Sequence, residues 1–141
     1  MKIALCSLML ICFVLITSGC KKDENPASSD QYTNKLALGT GIGGNGFQLA
    51  GEGTTFTGAS NQIYFRLESQ TDMEGSQVKI RLEKNSGAGY VFYQDFSFNN
   101  PQSYGHIFLS SFTPGQTGNY KATGIIVSKN LEVASLQFTV N

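Results

Sequence analysis

Ten basic and ten acidic residues among 141 leave the chain without net charge, which excludes phosphate-driven binding of nucleic acid. Charged residues make up only 14% of it while glycine, polar uncharged residues and aromatics abound, a composition that favours short strands over helices. One histidine cannot build a histidine-rich metal centre.

The chain opens with Lys2 and an apolar run from Ile3 to Ile16 broken only by Ser7, the layout of a signal-peptide core and short for a bilayer-spanning helix. Thr17-Ser18-Gly19-Cys20 follows, then an abrupt change to Lys21-Lys22-Asp23-Glu24. These residues resemble the lipobox of bacterial lipoproteins. Ser18, Gly19 and Cys20 match it, while Thr17 stands where an aliphatic residue is usual.

The lipobox resemblance implies removal of residues 1–19, a thioether-linked diacylglycerol on Cys20 and acylation of its new amino terminus, which together anchor firmly. Cys6 and Cys12 would leave with the leader, so Cys20 would be the one remaining thiol and the body could form no internal disulfide. Cys20 to Pro26 is similar to the start of many Bacteroidota lipoproteins. That similarity implies the outer membrane, on its periplasmic face or at the cell surface.

Residues 20–31 are polar, contain Pro26 and show no hydrophobic period, so they read as a flexible tether to a single domain over 32–141. In that domain Lys35 to Leu38 is the first predicted strand, and Phe47–Ala50 and Thr54–Thr57 are short extended pieces. Strict alternation follows at Ile63, Phe65 and Leu67, and again at Val78, Ile80 and Leu82. Asn85-Ser86-Gly87 is a turn, and beyond it Tyr90, Phe92, Phe96 and Phe98 are expected on one face, with Val91, Tyr93 and Asp95 on the other. Asn99-Asn100-Pro101 ends that strand, His106 to Ser110 makes another, and Pro114-Gly115 turns the chain. Tyr120–Val127 and Leu131–Val140 should pair as a hairpin, with a bulge near Val133 to bring its two apolar sets into phase.

Outside the leader no long window keeps a helical stripe, so the domain is expected to be all-β, a sandwich or a barrel. Thr117-Gly118-Asn119-Tyr120-Lys121-Ala122 resembles the tyrosine corner of immunoglobulin-like and fibronectin-like domains. The resemblance implies an antiparallel β-sandwich of about seven strands, with the Tyr120 hydroxyl bonded to backbone nearby. Ala122 stands where antibody domains carry cysteine, and the chain has no tryptophan, so the antibody-type pin is missing. A small up-and-down barrel is the alternative.

Gly39 to Gly44 spells G-x-G-x-x-G, but no helical period follows to hold a pyrophosphate, so it reads as a glycine-rich link between strands. His106, with a carboxylate such as Asp95, is the only pair from which a histidine-based catalytic apparatus could be drawn, and no nucleophile motif accompanies it. Asp72 and Glu74 fall short of the oxygen ligands that calcium takes, and Glu52, Glu68, Glu83 and Glu132 read as outward charges. Tyr64, Tyr93, Tyr104 and Phe108 are expected opposite the core, where exposed rings could stack on sugars or anchor a protein. The sequence thus points to a lipid-anchored envelope module without catalysis or cofactor that binds a protein partner, or alternatively a glycan, with an enzyme as the remoter reading.

Overall fold

The computed structural model describes residues 31–44, 47–101 and 105–141; the expected leader, Cys20 with most of the expected tether, and Tyr104 lie outside the described residues. The chain forms β1 (Lys35–Gly39), a small hairpin of β2 (Gly41–Ile42) and β3 (Leu49–Ala50), and the two-residue β4 (Thr55–Phe56). The longer strands follow: β5 (Ile63–Glu68), β6 (Gln77–Asn85), β7 (Tyr90–Asn99), β8 (Ile107–Phe112), β9 (Gly118–Ile126) and β10 (Leu131–Val140). No α-helix occurs among the described residues, as the alternating patterns led us to expect.

One sheet has the order β1-β5-β8 and another the order β4-β10-β9-β6-β7. Every pairing in them is antiparallel except that of β4, which runs parallel to β10. Alternation decides which side turns inward. Ile63, Phe65 and Leu67 are buried on β5, and Val78, Ile80 and Leu82 are fully buried on β6. Between the sheets, the Phe65 ring meets Phe98 at 5.2 Å, and Phe112 meets Phe96 at 5.4 Å and Phe138 at 6.0 Å, all tilted or edge-on. Toward the end of β9, a Cβ on Gly124 would stand 2.5 Å from Leu67 Cδ1, so the bare backbone lets the sheets approach there.

Two bulges set the phases of the long hairpins. The one expected near Val133 is present, where the β9–β10 register shifts between Glu132 and Ala134 and Val133 is itself buried. The other was not legible in the sequence. Leu82 faces Gln94 while the next residue, Glu83, faces Phe92, which makes Tyr93 the extra residue on β7. An inserted residue reverses the sides beyond it. Phe92, expected with Phe96 and Phe98, instead remains 64% exposed, and Tyr93 packs against the core.

The final hairpin turns through Val127–Lys129 and Asn130, whose φ of 46° is the left-handed geometry that asparagine tolerates. At its start, the fully buried Tyr120 donates its hydroxyl hydrogen to the carbonyl oxygen of Gln116 at 2.8 Å, the bond expected of it. Burial, and after it the neighbouring Tyr93 phenol, pushes this hydroxyl up to about 12.

Candidate functional site

The outer side of the three-stranded sheet is roofed by the β2–β3 hairpin. Thr40 N donates to Ala50 O at 2.9 Å and Gly53 N to Leu38 O at 3.0 Å, which tie the hairpin back to the end of β1. A Cβ on Gly39 would lie 2.7 Å from Ala50 O, so glycine is what allows this close return. Arg66 reaches from β5 to the roof, its Nε donating to Phe47 O at 3.0 Å, while its Nη1 meets Glu68 Oε2 at 2.6 Å. Glu68 also accepts from Thr33 N at 2.7 Å and Thr33 Oγ1 at 3.0 Å. Burial alone would raise this carboxyl, but the Thr33 donors and Arg66 outweigh it and hold it below the usual range.

The outer side of the five-stranded sheet has no such roof among the described residues and is laced with charge. Asp95 on β7 accepts from Arg81 Nε at 3.1 Å and Nη2 at 3.3 Å, and Lys79 Nζ stands 3.1 Å from it. Hydrogen bonding from Arg81 is the main reason its carboxyl lies low. Lys121 pairs with Glu83 at 3.0 Å, and the Arg81 guanidinium lies 5.8 Å from the centre of the Phe92 ring. Beside these pairs, β7 forms the margin of the sheet, and Val91 and Phe92 project from it with 53% and 64% exposure. At the same end a groove of about 310 Å³ is lined by Thr54, Thr55, Asn85, Tyr90, Asn119 and Gln137.

Of the rings expected to lie exposed, the three among the described residues, Tyr64, Tyr93 and Phe108, are not brought together. Tyr64 is half-buried on the outer side of β5, with its hydroxyl on Gln62 Oε1 at 3.1 Å. Tyr93 belongs to the other sheet, donates to Pro114 O at 2.8 Å and sets its ring edge-on to Tyr120 at 5.5 Å. Phe108 is only 4% exposed and lies 5.9 Å from both Phe65 and Phe98, so it is a core ring and not a surface one. Its strand, Ile107-Phe108-Leu109, is apolar on both sides, which left its phase unreadable. Phe92 and Phe47, at 64% and 45% exposure, are aromatics that sequence reasoning missed, the first because an unseen bulge turned it outward. The polar groove was missed too, since its residues come from separate strands with no spacing in common.

His106 and Asp95 are not assembled into a pair. The imidazole stacks on Tyr32 at 4.4 Å, and its Nδ1 donates to Ser69 O at 2.9 Å, whereas Asp95 is engaged by Arg81 and Lys79. Asp72 Oδ1 accepts from Glu74 N at 2.7 Å, a turn closed by an aspartate on its own backbone. Among the described residues no three His, Cys, Asp or Glu side chains gather as metal ligands. The glycine-rich stretch from Gly39 is the strand end and first arm of the roof, not a helix start.

No helix among the described residues is long and apolar enough to cross a membrane. No protein-family model matches the chain, and no curated protein matches it either.

Proposed function

We propose that this chain is a lipid-anchored, non-catalytic binding module of a bacterial envelope, whose body is an immunoglobulin-like sandwich that engages a protein partner through the β7 margin. Strand order supports the immunoglobulin-like part. The set β1, β5, β8 matches strands A, B and E of such domains, and β10, β9, β6 and β7 follow the order G, F, C and C′. The Tyr120–Gln116 bond adds to it. Where antibody domains are pinned by a cystine, this chain relies on the close fit of Gly124 to Leu67. The anchor rests on the run from Ile3 to Ile16 and on Ser18-Gly19-Cys20.

The observation that carries the binding role is the pair Val91 and Phe92, large apolar side chains more than half exposed on a margin strand. A margin strand offers unpaired backbone groups to an added strand of another protein, and an exposed aromatic beside it provides the anchor that an interface needs. The partner would present an extended segment whose apolar side chain covers Phe92.

A photo-crosslinking residue at position 92 tests this in living cells, with one at Ser135, exposed on β10, as the control. A discrete adduct from 92, absent from 135, is the expected result, and the Cys20→Ala variant should lose it along with fatty-acid labelling. Equal adducts at both positions, or none, would remove the proposal. Phe92→Ser should change stability by no more than about 0.5 kcal/mol, since the ring is outside the core.

A further inference from the structure

The groove at the end of the five-stranded sheet has a regular construction. Thr55 on β4 stands opposite Thr139 on β10, and Thr139 opposite Asn119 on β9. Asn85 on β6 stands opposite Tyr90 on β7. The β6–β9 pairing runs as far as Lys84 opposite Tyr120, so Asn85 and Asn119 are the next residues along those two strands. One row therefore crosses all the strands of this sheet, from Thr55 through Thr139, Asn119 and Asn85 to Tyr90.

The chemistry of the groove is polar and uncharged for the most part. No residue lining the groove is ionisable near neutral pH, and its walls are amides and hydroxyls, with Phe138 between Gln137 and Thr139 and Tyr90 on the margin strand. Asn119 Oδ1 accepts from Thr139 Oγ1 at 2.9 Å and Asn85 Oδ1 from Gly87 N at 2.8 Å. Each bond occupies the amide oxygen and leaves the amide nitrogen with donors to spare. Thr54, Thr55 and Gln137 add further uncommitted donors and acceptors. Lys121 and Glu83, further along the same strands, neutralise each other at 3.0 Å. Lys84, next to Asn85, does not line the groove but bonds Gln116 Oε1 at 2.7 Å with its Nζ over the Tyr93 and Tyr120 rings.

We propose that this row is a carbohydrate site selective for neutral sugars. Sugar hydroxyls both donate and accept, which matches a wall of amides and hydroxyls, and the apolar face of a pyranose suits the flat ring of Tyr90. Charged ligands find no counter-ion there. The volume of about 310 Å³ lies at the small end of ligand sites and admits a short stretch of glycan. This site is separate from the Phe92 margin and stands or falls without it.

The test uses the cell-derived protein, isotopically labelled and held in a detergent without sugar headgroups. It is titrated with cellotriose, maltotriose, xylotriose and the trimer of N-acetylglucosamine while backbone amides are followed by NMR. At least one trisaccharide should shift Thr55, Asn119, Gln137 and Thr139 saturably, and Tyr90→Ala and Gln137→Ala should each weaken it roughly tenfold. Phe92→Ser should leave it unchanged. No saturable shift with any of the four sugars, shifts centred on Tyr64 instead, or binding undiminished in both variants would overturn the proposal. Gln137 is exposed on β10, so its variant keeps the test decisive even where loss of the Tyr90 ring disturbs the hairpin.

Discussion

The three-stranded sheet hides its outer side beneath the β2–β3 hairpin, whereas the five-stranded sheet leaves its outer side bare. Both share one core, so the difference lies in how each protects the side turned away from it. Under the roof Ala37 is 5% exposed although it faces outward, and Arg66 and Glu68 are drawn into a network with Thr33 and Phe47. On the bare side Thr123 and Ile125 are buried as well, amid a lattice of mutually paired charges. One sheet is shielded by chain, the other by side chains.

The comparison can be broken or sharpened by substitution, and the largest effect should come from what both sheets share. Phe65→Ala removes a fully buried ring that touches both sheets and should cost about 3–5 kcal/mol, read as a lower urea midpoint at unchanged slope. A cost below about 1 kcal/mol would show that the sheets do not depend on one core. Next in size, Gly39→Val should push the roof away, at about 1–3 kcal/mol. Hydrogen exchange should then speed up at Thr40 and Gly43 while β6 and β9 stay protected. Acceleration spread evenly over the chain would contradict a roof that is separable from the core.

Two carboxylates measure the two outer sides. Both lie below their ordinary values, so each contributes stability that is complete above the unfolded pKa of about 4 and is lost as pH falls through the folded value. Glu68 is 14% exposed and accepts two donors from Thr33 besides its ion pair with Arg66, so Glu68→Gln should cost on the order of 1–2 kcal/mol at pH 7. Asp95, more open at 25%, answers to screened partners, and Asp95→Asn should cost less than about 1 kcal/mol, falling further in salt. Either variant should flatten the decline in stability below pH 5, the first more than the second. A larger loss from Asp95→Asn would reverse the ranking of shielded and bare sides.

Much of the strand plan was readable because burial on one side imposes a period of two. Ile63-Phe65-Leu67 and Val78-Ile80-Leu82 declared both their conformation and their inner face. The Val133 bulge was readable as well, since its strand held two apolar sets that only an extra residue could reconcile. The β7 bulge was not. Phe92 and Tyr93 are both aromatic, so either could have been the inner one, and the pattern looked regular as it stood. Phe108 was misassigned for a related reason, with apolar residues on both sides of its strand.

What the sequence determined by itself is local: all-β character, most strand limits, the turns at Asn85, Pro114 and Asn130, and a Tyr120 bond to backbone nearby, whose acceptor the structure identifies as Gln116 O. Each depends on neighbours in the chain, where dihedral preference and alternation act directly. The roof over β5, the outward turn of Phe92 and the row from Thr55 to Tyr90 were decided only in the tertiary structure. They depend on register between strands far apart in sequence, and register is set by packing of the whole core rather than by any single stretch.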